Sequence, residues 1–255
     1  MNLTHKIEIK PNKKQQVIIN KACGTARFTY NYALKQYESI YNQHKENNNN
    51  PKPNINEIKK EFNRIKEDQF PWIYESPKDA NQQPFANLKT AFNRFFKGKG
   101  KYPKLKKKKI NESFYISNDK FKLNEKEVTL PIMGKVKMKE KLRFVGKIMN
   151  ATISKIANKF YININVELNE DYKRDRTNNN KIGLDLGIID FVTDSNGKKV
   201  KAPKPLKRYT KVLRRTQRRL SKKKLNSNNR KKAKMNLVQL HFSFFSIVRI
   251  KLFLA

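Results

Sequence analysis

Ile19, Ala22, Cys23, Ala26, Tyr30, Ala33, Leu34, Tyr37 and Tyr41 follow one another at steps of three and four, which predicts one apolar face of a long helix. Asn12 fits its N-cap, with Gln15 three residues on completing a capping-box pair. Residues 3–9 ahead of it read as a short strand closed by Pro11. Cys23 lies on the apolar face, where a small core residue is expected rather than a reactive thiol. A loop around Pro51 and Pro53 leads to a second helix over 55–66 and then to the aromatic knot Phe70, Pro71, Trp72, Ile73 and Tyr74. A third helix, from about Asp79, carries Phe85, Leu88, Phe92, Phe95 and Phe96 at helical spacing. That stripe is read as core rather than as a platform for stacked bases.

Beyond residue 97 the period changes from helical to two. Val128, Leu130 and Ile132 alternate with polar positions or proline, Val136 and Met138 alternate with lysines, and Phe160, Ile162, Ile164, Val166 and Leu168 form the longest alternation. Several half-buried strands in a row predict a small antiparallel barrel or sandwich. Residues 169–180 read as a linker. A third region opens with Ile182-Gly183-Leu184-Asp185-Leu186-Gly187 and contains Asn196-Gly197, a strong signal for a two-residue hairpin turn. A basic helix over 206–224 follows, with Leu206, Tyr209, Leu213 and Leu220 as its apolar seam, and a further helix begins near Ala233.

Charge changes the picture. The 255 residues contain 59 Lys+Arg against 21 Asp+Glu, a formal net charge of +38. Such an excess repels itself, and a compact fold tolerates it best when a polyanion neutralises it. Nucleic acid is therefore the expected partner. The 37% hydrophobic and 11% aromatic content argues against a wholly disordered chain. A single cysteine excludes an internal disulfide framework and a four-cysteine zinc site. No signal-peptide or membrane-spanning run is visible: the apolar stretch from Phe242 is interrupted by Arg249 and Lys251. A cytoplasmic, nucleoid-associated protein is expected.

The binding candidates are the glycine-loosened loop 97–109, with Lys99, Lys101, Tyr102, Lys104, Lys106 and Lys107, and the basic helix, with Lys211, Arg214, Arg215, Arg218 and Arg219. Neutralising phosphates releases condensed counterions, so both should bind in a steeply salt-dependent way. Asp185 is the chemical candidate. On a strand, Gly183, Asp185 and Gly187 share one face while Ile182, Leu184 and Leu186 share the other, expected to be core. A carboxylate between two glycines leaves room for a metal; a local cap at a strand end is the competing reading.

Four separated stretches then resemble one family. They are KIEIKPNKKQQVIINKACGTARFTYNYALKQY, AFNRFFKGKGKYPKLKKK, LPIMGKVKMK, and the long segment from IGLDLGIIDFVTDSNG to LNSNNRKKAK. In order and character they are similar to the OrfB/TnpB proteins of bacterial insertion sequences, transposase-named proteins whose activity is RNA-guided DNA cleavage. The resemblance implies an α+β protein. A β-barrel, wedge-like domain (1–10 and 99–168) would carry an inserted helical recognition domain (11–98). A linker (169–180) would lead to a partial RuvC/RNase-H-like α/β domain (181–255). It also implies DNA and a transposon-derived guide RNA as partners, and Asp185 as the first of three acidic residues holding Mg²⁺.

The chain departs from that family after His241, where FSFFSIVRIKLFLA replaces the expected charged helix. The family's second catalytic Glu, its cysteine zinc ribbon and its final Asp have no counterpart, so Mg²⁺ chemistry is not expected to function here. A frameshifted or shortened nuclease that keeps its binding parts is the expectation. A non-cleaving regulator of the mobile element is the alternative, and a terminal hydrophobic strand is the competing account of the tail.

Overall fold

Strand β1 (Asn2–Lys10) is central rather than peripheral: it pairs antiparallel with β7 (Lys159–Glu167) on one side and β5 (Gly134–Met138) on the other. With β2 (Glu112–Ser117), β3 (Lys122–Asn124), β4 (Glu127–Leu130) and β6 (Lys147–Ile156) it forms a seven-stranded sheet, ordered β2-β6-β7-β1-β5-β4-β3. The computed structural model describes residues 1–108, 112–168, 182–185, 190–201 and 205–253, without the side chains of 191, 201, 205–208 and 244–253. The chain splits into two units, Met1–Asp171 and Tyr172–Ala255. The expected linker 169–180, Leu186 and Gly187 lie outside the described residues.

The alternation behind the sheet works as the period of two requires. Ile7 and Ile9 of β1, Val136 and Met138 of β5, and Ile162, Ile164 and Val166 of β7 are buried on one face. The barrel expected from it is not closed by hydrogen bonds. The order starts at β2 and ends at β3, and these two strands do not pair among the described residues. A helix face does the covering instead: Ile19, Ala22, Cys23 and Ala26 of α1 (Lys13–Glu46), with Ala80 of α3 (Lys78–Phe96), join the same apolar cluster. Ile132 corrects the reading of a strand through 128–132. It sits in the β4–β5 turn at φ +66 and is exposed, and Met133 is buried in its place.

Between β1 and β2 the chain runs through α1, α2 (Ile55–Gln69), a 3-10 turn (Pro71–Glu75) and α3. The capping box is formed: Asn12 Oδ1 accepts from the Gln15 N–H at 2.9 Å, and Gln15 Oε1 accepts from the Asn12 N–H at 2.9 Å. Phe62, Ile73, Phe85, Leu88 and Phe92 centre a second core with Tyr30 and Leu34. The expected stripe on α3 thus divides. Its first three members are core, Phe95 is half-buried, and Phe96 is 68% exposed.

His5 is a buried polar residue within β1. Its Nδ1 accepts the Arg143 N–H at 3.2 Å, and its Nε2 is 3.5 Å from Glu140. Burial, with help from Arg143, lowers its pKa below 6.5 despite the opposing pull of Glu140. The unfolded chain therefore binds this proton more readily than the folded one. The contribution is complete above about pH 6.5 and is lost as the pH falls towards the folded value. Urea melts at pH 7.5 and 5.5 should show lower stability at the acid value, and His5→Gln should reduce that difference; an equal difference in the variant would remove His5 as the cause.

In the second unit, β8 (Leu184–Asp185), β9 (Asp190–Asp194) and β10 (Lys199–Lys201) make a three-stranded antiparallel sheet ordered β10-β9-β8. The chain does reverse at Asn196-Gly197, but the expected two-residue turn is corrected: Gly197 is at φ +80 while Asn196 is not at positive φ. The Gly197 N–H donates to Asp194 O (3.0 Å), and the Asp194 N–H donates to Lys198 O (3.0 Å), which closes a three-residue loop. Helices α4 (Pro205–Ser221) and α5 (Asn228–Phe253) pack on each other. Arg230 joins them, donating from Nη1 to the carbonyls of Leu220 (3.1 Å) and Lys223 (3.0 Å) at the end of α4. The tail from Phe242 continues as helix to Phe253 and is not a terminal strand.

Candidate nucleic-acid interface

The basic residues expected from sequence fall into three groups. The end of α3 builds the first. Gly98, at φ +67, reverses the chain, and the Lys99 N–H donates to Arg94 O at 2.8 Å. The strap that follows is folded back on the helix, so Lys99 and Lys101 are exposed beside its last turn. Tyr102 sets its ring edge-on against Phe92 and Phe95, at 5.6 and 5.3 Å between centroids. Burial raises its pKa, and Glu38, which bonds its hydroxyl, adds to that.

The second group lines a cleft of about 400 Å³ with Lys104, Lys106 and Lys107 on one wall and Cys23, Ala26 and Arg27 of α1 on another. Asn31 fixes the strap by a reciprocal pair: its amide donates to Lys106 O at 2.9 Å and its Oδ1 accepts the Lys106 N–H at 2.7 Å. Lys106 Nζ lies 4.1 Å from the centroid of the Tyr30 ring, and burial of that ammonium lowers its pKa although much of the residue is exposed. Arg27 pairs with Glu112 at the cleft's edge, so the three strap lysines remain as excess positive charge. Arg27 carried no sequence signal, because its role depends on β2 reaching it. Burial pushes the Cys23 thiol up to about 12, which keeps it protonated and inert, as a core position requires.

The third group is on α4 and the residue that follows it. Lys211, Arg214, Arg215, Arg218, Arg219 and Lys222 line one groove of about 890 Å³. Their spacing of three and four keeps them on one helical face over about 16 Å, from the ~1.5 Å rise per residue. Tyr209, Leu213, Thr216 and Leu220 lie half-buried on the other face. The helix has no acidic residue. Like charges at i and i+4 (Lys211 and Arg215, Arg214 and Arg218, Arg215 and Arg219, Arg218 and Lys222) each cost about 0.2–0.5 kcal/mol in an isolated helix. A polyanion reverses the sign of that term.

Asp185 belongs to none of these groups. It is exposed on β8 and lies opposite Thr193 of β9. Ile182 and Leu184, expected in a core, are 57% and 53% exposed; among the described residues of this unit Val192 alone is buried. Asp185 and Asp190 lie on different strands, β8 and β9, which are antiparallel partners. Asp190 lies 4.0 Å from Lys199, and Asp194 Oδ1 accepts the N–H groups of Asn196 (3.0 Å) and Lys198 (2.8 Å), which makes it the cap of the hairpin turn. No group of three metal-ligating side chains occurs among the described residues. A two-metal centre needs several convergent carboxylates, and the described residues do not fit one. Among them no helix is long and apolar enough to cross a membrane.

Comparison with known proteins gives two family matches. Residues 163–244 match the OrfB_IS605 family, described as "Probable transposase", and residues 1–46 match its "Helix-turn-helix domain". The second span is here β1 followed by one unbroken helix, with no turn between helices. The chain is similar to "Putative RNA-guided DNA endonuclease InsQ" of Escherichia coli (strain K12), 28% identical over 96% of this chain and 60% of that protein. It is also similar to a "Putative RNA-guided DNA endonuclease" of Streptomyces pristinaespiralis, 25% identical over 92% of this chain and 58% of the relative. The chain therefore spans about 60% of the length of these curated relatives.

Proposed function

The chain belongs to the OrfB/TnpB family of insertion-sequence proteins, and on that premise we propose that it binds RNA and DNA without completing a cleavage centre. The observation that carries this reading is the α4 groove, where five cations on one face of a helix without an acidic residue are joined by Lys222 just past its end. The reading follows the domain scheme set out from sequence, with residues 1–10 and 99–168 as the wedge-like part and 11–98 as the recognition part. Residues 169–180 link these to the nuclease-like part, 181–255. The entry of β1 into the middle of a sheet built from later strands supports it. Asp185 takes the place of the first acidic residue of the family's Mg²⁺ site. The proposed partners, duplex DNA and a transposon-derived guide RNA, would meet the protein in the cytoplasm.

Binding works by counterion release. Each phosphate met by a lysine or arginine frees condensed cations, and log affinity falls with log salt by about 0.9 for each phosphate contacted on duplex DNA. Replacing Arg214, Arg215, Arg218 and Arg219 together by alanine should flatten that slope by up to about 3.6, one phosphate per arginine. Fluorescence anisotropy of a labelled duplex across a salt series measures it. An unchanged slope would remove α4 from the interface.

A further inference from the structure

From the exposed end of the α3 stripe we infer that Phe96 is a stacking residue for unpaired nucleotides of a bound RNA. This rests on the proposed function and names the part of the nucleic acid that one surface takes. Phe96 is 68% exposed, whereas Phe85, Leu88 and Phe92 on the same helix are 3% exposed or less. A large exposed aromatic is a more informative observation than a buried one. Its ring is not loose. It is stacked with Phe92 at 6.0 Å and 20°, and meets Phe95 edge-on at 5.3 Å. Phe92 is itself stacked on Tyr37 at 4.0 Å, and Tyr102 braces both Phe92 and Phe95. The result is a ring held from behind by a packed aromatic cluster, with its exposed part turned to solvent.

Charge identifies what would cover it. Arg94 precedes Phe96 by two residues and Lys97 follows it at the helix end, and the Gly98 reversal brings the strap carrying Lys99 and Lys101 back beside Arg94; all four are exposed. An apolar protein partner would meet a helix end that carries four exposed cations. A polynucleotide offers phosphates for the cations and a π-face for the ring. Duplexes keep their bases stacked inside, so the free face must come from unpaired nucleotides. Those are presented chiefly by the loops and ends of folded RNA, which proteins commonly read by aromatic stacking.

The test uses the full chain with a single-stranded RNA oligomer carrying 2-aminopurine, a single-stranded DNA of the same sequence, and a duplex. Stacking on an aromatic is worth about 5- to 150-fold in affinity by alanine substitution. Phe96→Ala and Phe96→Leu should weaken RNA binding in that range and abolish the protein-induced change in 2-aminopurine fluorescence. Duplex affinity should change by less than about twofold, and Phe96→Trp should restore RNA binding. Lys97→Gln, Lys99→Gln and Lys101→Gln together should weaken duplex and RNA alike. Equal losses for duplex and RNA in Phe96→Ala, an effect confined to DNA, or unchanged RNA affinity in Phe96→Ala while the parent keeps its salt-dependent binding would overturn the inference alone. Absence of salt-dependent binding by the parent would instead bring down the functional reading beneath it. Circular dichroism of each variant should match the parent, because the side chain is exposed.

Discussion

Phe62→Ala should destabilise the helical insertion by about 3–5 kcal/mol, the usual cost of deleting a buried phenylalanine. Phe62 is fully buried, and its ring meets Tyr32 at 5.1 Å, Phe85 at 5.4 Å and Phe70 at 6.1 Å. Removing it leaves a cavity where α2, α3 and the 3-10 turn meet α1. Against the ~5–15 kcal/mol that hold a typical domain together, the loss is a large fraction. The protein supplies its own reporter: its one tryptophan, Trp72, lies 5.0 Å from Phe28 in this insertion. Trp72 fluorescence in a urea titration should show a transition moved to markedly lower denaturant. A shift worth less than about 1 kcal/mol would mean that the cavity collapses and that Phe62 is not the keystone of this core. The function follows the fold here, since α3 carries the strap that presents Lys99 to Lys107.

The second large effect is catalytic. Duplex DNA mixed with this chain, a guide RNA and Mg²⁺ should stay uncut, and Asp185→Ala should behave as the parent does. Two-metal cleavage needs carboxylates that hold cations about 3.5–4 Å apart. Asp185 is exposed on a two-residue strand; Asp190 faces Lys199; Asp194 is committed to a turn. No acidic residue follows Asp194 in the sequence. Since nucleases accelerate their reactions by ~10⁶-fold or more, the assay reads presence against absence of product. Cleavage by the parent that disappears in Asp185→Ala would refute this and require the missing ligands to come from a second molecule.

Much of the first unit could be read along the chain. The N-cap at Asn12, the start of α2 at Ile55, the alternation through β7 and the turn at Gly197 depend on interactions between near neighbours, which the order of residues specifies directly. The basic face of α4 was legible for the same reason, because a helix converts spacing into position without help from the rest of the fold. Strand β6 was harder. A register shift between Ile148 and Asn150 breaks its period of two, so Ile148 and the pair Ala151 and Ile153 fall out of phase.

What only the tertiary structure decided concerns contacts far apart in sequence. Gln15 was visible as half of a capping box, but its amide also donates to the carbonyls of Met133 and Lys135 and ties α1 to the β4–β5 turn. Periodicity predicted that the strands would bury one face. It could not tell closure into a barrel from coverage by α1, because both bury the same residues. The expected core positions Ile182 and Leu184 are exposed, since apolar spacing marks a face as able to be buried and another element must supply the cover. Phe96 shows the same limit from the other side: helical spacing grouped it with Phe85, Leu88 and Phe92, and the end of the packed core, one turn earlier, left it in solvent. Sequence by itself determined the main helices, the longest strand alternations and the large positive charge, all set by local chemistry. The fold decided which apolar faces found a partner and which cations share a surface, because those depend on where the chain returns.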